Sequence, residues 1–129
     1  MVGLIWLVQV VHYPLFAAVH PSAFPAYHAR HMARTSWVVG PPMLLELATA
    51  LLVTLNPGMP RWLTWLGLGL LAVIWLSTAA LQVPLHGELA AKGFNEGTIE
   101  RLVRTNWIRT TAWTARGFIA GALLLRTLG

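Results

Sequence analysis

Five histidines, two tyrosines and four carboxylates carry most of the reactive chemistry in this chain, and there is no cysteine. His28 and His31 stand three residues apart, on one face of any helix that holds them. With His86 they could present three imidazoles to a metal, a donor set that suits iron, copper or zinc; the alternative is a solvated vestibule. His12 precedes Tyr13 and Pro14. It reads either as a ligand to a metal or tetrapyrrole such as haem, or as a partner for a carbonyl that the proline leaves free. Glu46 and Arg116 fall inside apolar stretches, where an ionisable group costs about 2.5–3.5 kcal/mol and must face a partner. They are candidates for acid/base or oxyanion chemistry, or else an ion pair that fixes helix register.

Other chemistries are excluded. Without cysteine there is no thiol nucleophile, disulfide, iron–sulfur cluster or Cys-ligated zinc. All four carboxylates are glutamates, so a Ser-His-Asp triad cannot be built. No Gly-x-Ser-x-Gly elbow, Walker loop or Gly-x-Gly-x-x-Gly fingerprint is present.

The elements that must position these groups follow from composition. The chain has 129 residues, 57% hydrophobic and 10% charged, against about 25% charged in an average soluble domain. A single all-α domain over residues 1–129 is expected, an integral membrane up-down four-helix bundle. Spans are expected at about residues 2–19, 36–55, 62–83 and 111–128, since a crossing needs roughly 20 residues. The opening MVGLIWLVQVV lacks the basic start of a cleavable signal peptide. Asn56 to Pro60 makes a tight turn. Ser22 and either Asn95 or Thr98 are candidate N-caps, so that helices 2 and 4 extend beyond the membrane on the inner side. Pro41-Pro42 is expected to kink the second helix rather than end it.

The net charge of +5 reads as an orientation signal, with no nucleic-acid partner expected. Arg30, Arg34, Lys92, Arg101, Arg104 and Arg109 lie on connections one and three. That places those connections inside and both termini outside, with a bacterial inner membrane as the expected host.

Depth arithmetic at 1.5 Å per residue puts Gln9, His12, Tyr13, Glu46, Ser77, Thr78 and Arg116 in one buried polar layer. His31 lies about 15 residues from Glu46, roughly 22 Å of helix, and falls with His28 and His86 at the inner mouth. Trp75 and Trp113 are expected to line an interior pocket, with Asn106 and Arg109 at its mouth. Trp6, Trp37, Trp62 and Trp107 are expected near the interfaces. Gly117 and Gly121 have the spacing of close helix packing, within the bundle or in a homodimer.

Thr78-Ala79-Ala80-Leu81-Gln82-Val83-Pro84-Leu85-His86, followed by Ile99 to Arg109 with Asn106-Trp107-Ile108-Arg109, resembles the anthrone-oxygenase-like family of small four-span membrane proteins. In that family the third span ends in Pro-Leu-Asn and the fourth begins with an Asn-x-x-Arg segment containing tryptophan. Pro84-Leu85 and Asn106/Arg109 match, and His86 stands where the family has Asn. The resemblance covers about a third of the chain and implies a four-helix fold and oxidation of a hydrophobic aromatic molecule.

Two functions follow as expectations. One is an oxidoreductase or monooxygenase acting on a hydrophobic aromatic or quinone-like molecule. It would use His12, Glu46 and Arg116, with Gln9, Tyr13, Trp75, Thr78, Trp113, Asn106 and Arg109 around the ligand. The other is a non-catalytic subunit of a larger respiratory or photosynthetic membrane complex that holds pigment or lipid. A small-molecule or proton transporter ranks behind both, because four spans leave little room for a path.

Overall fold

Pro14 sets the shape of the first segment. In the computed structural model, which describes residues 1–128, α1 covers only Val2–Leu7. It widens into a π-helical turn at Val8–His12, closed by the Tyr13 N–H donating to Val8 O at 3.0 Å. Pro14 has no N–H to continue the ladder, and Pro14–Ala18 tightens into a 3₁₀ turn. The chain then leaves in extended form at Val19.

Four helical rods result, and no strand occurs among the described residues. The first is Val2–Ala18. The second is α2, Phe24–Leu55, which passes through Pro41 and Pro42 without ending. The third is α3, Arg61–Ser77, carried through a π turn at Thr78–Gln82 into α4, Val83–Lys92. The fourth is α5, Glu96–Leu128.

Two rods, Phe24–Leu55 and Arg61–Lys92, are long and apolar enough to cross a membrane, with window hydropathies of 1.8 and 1.9. The rod Val2–Ala18 is apolar but shorter. In α5 the first half carries Glu96, Glu100, Arg101, Arg104 and Arg109, so only its second half is apolar.

The ends of the rods follow local chemistry. Asn56 closes the turn after α2, its Oδ1 accepting from Gly58 N–H at 2.9 Å. Gly93 takes φ +77° after α4, a conformation open to glycine, and its N–H reaches Leu89 O. Asn95 caps α5, accepting from Thr98 N–H at 2.8 Å. Ser22 does not cap α2. Its hydroxyl meets His20 Nδ1 at 2.9 Å, and the residue before the helix is Ala23.

α5 packs chiefly along α3 and also touches α1, α4 and the 3₁₀ turn, while α2 rests on α3 and α4. The buried core includes Phe16, Phe24, Leu71, Ile74, Leu89, Ile99, Leu102 and Trp113. The glycine pair of α5 divides its work. A Cβ on Gly117 would lie 2.9 Å from Val2 Cγ2, whereas one on Gly121 would meet nothing. Gly117 therefore admits α1 inside the bundle.

Candidate functional site

The break at Pro14 turns Tyr13 and His12 toward the start of α2, where His28 and His31 project inward one turn apart. His86, in the first turn of α4, closes the group. Four imidazoles gather here: ring centroids lie 4.7 Å apart for His12–His31, 5.3 Å for His28–His86, 5.4 Å for His31–His86 and 6.0 Å for His28–His31. Phe16, fully buried, stands edge-on to His12, His28 and His31. Phe24 stacks on His28 at 5.6 Å.

Hydrogen bonds order the rings. Tyr13 Oη meets His86 Nε2 at 3.0 Å, and His86 Nδ1 meets His28 Nε2 at 3.0 Å. With both imidazoles neutral, a Tyr13 hydroxyl that donates to His86 Nε2 leaves the His86 proton on Nδ1, and His86 then donates to His28. In that tautomer the bonds run from Tyr13 to His86 to His28, and the opposite tautomer reverses them. His12 Nε2 pairs with His31 Nδ1 at 2.7 Å, and Thr35 Oγ1 lies 3.1 Å from the same nitrogen. His31 Nε2 is buried with no partner.

The ring nitrogens are thus spent largely on one another and on Tyr13. No group of three or more His, Cys, Asp or Glu side chains among the described residues is placed to hold a metal ion. The expected set of His28, His31 and His86 is brought together, but as a stacked, hydrogen-bonded group.

Arg109 supplies the charge. Its side chain is buried, 6% exposed, and sits beside Tyr13 with its guanidinium 5.2 Å from the Trp113 ring centroid. Among the described residues no carboxylate forms an ion pair with it, and its Nε has no partner. Beside it, Gln9 ties the first rod to α5: its Oε1 accepts from Asn106 Nδ2 at 2.9 Å and Thr110 Oγ1 at 3.1 Å. Its Nε2 donates to Val103 O at 3.0 Å.

The expected deep layer divides in two. Glu46 meets Arg116, Nε to Oε1 at 3.3 Å, and Trp113, Nε1 to Oε2 at 2.7 Å; Arg116 also donates to Gly67 O. His12 is absent from that group. It belongs with His31, roughly 22 Å of helix from Glu46. A continuous first helix would have carried His12 to the level of Glu46, and the Pro14 break removes that premise. Ser77 and Thr78 return their hydroxyls to Ile74 O, and Trp75 Nε1 is buried without a partner. Of the predicted ligand residues, Tyr13 meets His86 and Arg109 lies beside Tyr13, while Gln9 and Asn106 bond each other. Trp113 lies between the two groups, touching Arg109 and Glu46.

The helical wheel puts Phe16 on one face with Gln9, His12 and Tyr13, and Gln82 on one face with Thr78, without giving either a role; Thr35 and the Gln82–Thr105 bond of 3.0 Å left no signal.

Two open cavities flank these groups. One, of about 360 Å³, lies between Pro14, Ala17, Ile99, Glu100, Val103, Arg104 and Trp107, beside the 3₁₀ turn that follows Tyr13. The other, of about 320 Å³, lies at the opposite end of the bundle and reaches Arg116. Compared with family models, curated proteins and solved structures, the chain matches none.

Proposed function

We propose that this chain is a small membrane oxidoreductase that removes protons from the hydroxyl of a hydrophobic phenol- or hydroquinone-type molecule and holds the resulting oxyanion beside Arg109. The observation that carries this reading is Arg109, a buried guanidinium with no carboxylate opposite it, next to an ordered chain of proton-carrying groups. A buried cation without a counter-charge is costly; an oxyanion bound there would offset that cost and be stabilised by it.

The proton steps balance. The substrate hydroxyl gives its proton to Tyr13 Oη as Tyr13 gives its own to His86 Nε2, and His86 passes the Nδ1 proton to His28 Nε2. The phenolate left beside Arg109 is electron-rich, and dioxygen is the oxidant we assign to it. The hydroquinone gives two electrons to one dioxygen, and the hydrogen peroxide formed takes up two protons, one returned from protonated His28 and one from the second hydroxyl, so that His28 ends neutral. The cleft beside Pro14 and Trp107, apolar along Ala17, Ile99 and Val103 with Glu100 and Arg104 also in its lining, is the approach we assign.

In this reading the bundle lies in a bilayer, with Leu44, Leu45, Leu52, Leu66, Leu76, Phe118 and Leu125, all exposed, facing lipid. The histidine end lies on the side of the basic connections. The resemblance to anthrone-oxygenase-like proteins agrees with oxidation of a hydrophobic aromatic molecule.

The test is oxygen uptake and peroxide release by the purified chain in lipid nanodiscs supplied with a short-chain hydroquinone. Tyr13→Phe is expected to lower turnover by about 100-fold, the usual scale for losing a positioned proton carrier. Unchanged turnover in that variant, or none in the wild type above empty nanodiscs, would reject the enzyme. A second reading, an accessory subunit of a larger membrane complex, draws on α2, where only 6% of the apolar window is buried. It predicts no turnover and one defined complex that keeps the chain through purification.

A further inference from the structure

The cavity at the far end of the bundle lies between the last turns of α2, the first turns of α3 and the second half of α5. Its walls are mostly apolar, and most of its hydroxyls are already committed. Thr49, Thr54, Thr64 and Thr127 each donate to a carbonyl of their own helix. Arg116 is the one charged group in the lining.

Arg116 has donors to spare. A guanidinium carries five N–H donors; here Nε is directed at Glu46 and Nη1 at Gly67 O, and no protein acceptor among the described residues meets Nη2. Both Glu46 oxygens are engaged, by Arg116 and by Trp113. Gly67 borders this corner through its carbonyl, which accepts from Arg116.

The charges select the ligand. Glu46 and Arg116 form a pair with no net charge. A second carboxylate would meet the Glu46 charge, and a cation would meet that of Arg116. An uncharged oxygen acceptor suits the free Nη2. The volume, about 320 Å³, falls at the small end of ligand pockets, which run from about 300 to 1,000 Å³.

We propose that this cavity binds an uncharged lipophile of one ring and an alkyl chain, with a carbonyl oxygen accepting from Arg116. The site is separate from the histidine network. Arg116 lies about 10 Å along α5 from Arg109, and the rest of the lining extends farther away.

The experiment uses the full chain in lipid nanodiscs and three probes of matched chain length: decylbenzoquinone, decylbenzene and decanoate. Retention on gel filtration is measured over empty nanodiscs. The expected result is about one equivalent of decylbenzoquinone, with the other two probes at background. Ala50→Phe, which fills the cavity away from Arg116, and Arg116→Lys, which keeps the charge for Glu46 but removes Nη2, are each expected to weaken retention at least 10-fold. Equal retention of decylbenzene would overturn the carbonyl contact, and no retention over empty nanodiscs would overturn the site. Arg109→Gln, which alters the histidine site and leaves this cavity intact, is expected to keep the retention of decylbenzoquinone unchanged; its loss in that variant would place the probe beside Tyr13 and overturn the site, so the two proposals fail separately.

Discussion

Neutralising Glu46 separates an ion pair that holds the bundle together from a group that takes part in the chemistry. The Arg116 and Glu46 side chains are 14% and 20% exposed, with Nε and Oε1 3.3 Å apart. At an effective dielectric near 20, two unit charges at that distance attract by about 5 kcal/mol. Withdrawing both from water offsets most of this, yet removing one partner of a buried pair costs about 3–5 kcal/mol, because the other charge stays behind. Residual exposure places Glu46→Gln at the low end, about 3 kcal/mol. The double variant Glu46→Gln/Arg116→Gln removes both charges and is expected within about 1 kcal/mol of the wild type. Unfolding in mixed dodecyl maltoside–SDS micelles, followed by tryptophan emission, reads the wild type, the single variants Glu46→Gln and Arg116→Gln and the double variant, and gives the coupling energy. A double variant as unstable as the sum of the two singles would refute the pairing argument. Because Glu46 stands roughly 22 Å along α2 from His31, the double variant is also expected to keep hydroquinone turnover; its loss would return Glu46 to the reaction.

The other expectations rest on single contacts. Gln9→Leu removes the bridge to Asn106, Thr110 and Val103 O and leaves buried polar atoms unmet, a cost of about 2–3 kcal/mol in the same unfolding assay. Gly117→Ala places a Cβ 2.9 Å from Val2 Cγ2 and is expected to loosen α1, read as faster proteolysis near the N-terminus. Gly121→Ala meets nothing within 4 Å and is expected to change neither this rate nor the oligomeric state. Arg109→Gln keeps a donor but removes the charge, and is expected to cut kcat for hydroquinone by about 100-fold, the scale of one oxyanion-stabilising group, while the protein still folds. A variant with unchanged kcat would remove Arg109 from the oxyanion role.

Much of the helical framework was legible because its signals are local. Asn56-Pro57-Gly58 and Asn95 mark breaks or caps by their own chemistry, and the apolar runs of α2 and α3 announce themselves by length. Glu46 and Arg116 were legible as partners because each sits in an apolar stretch where an isolated charge is untenable. Asn106 and Arg109 read as the mouth of a pocket from their helical face, whereas Gln9 reads as part of the deep layer and is found bonded to Asn106 instead.

His12 escaped the same arithmetic for a physical reason. Depth counting assumes 1.5 Å of rise per residue along one straight helix. The first rod instead passes from α to π to 3₁₀ geometry across Val8–Ala18, and each change alters both rise and facing. Tyr13 and His12 consequently point at α2 and α4 rather than at the level of Glu46. A helix break next to a His-Tyr pair is therefore more than an interruption. It brings a hydroxyl and an imidazole against three more imidazoles from α2 and α4, with Arg109 beside Tyr13, and separates this hydrogen-bonded group at one end of the bundle from the Glu46–Arg116 pair.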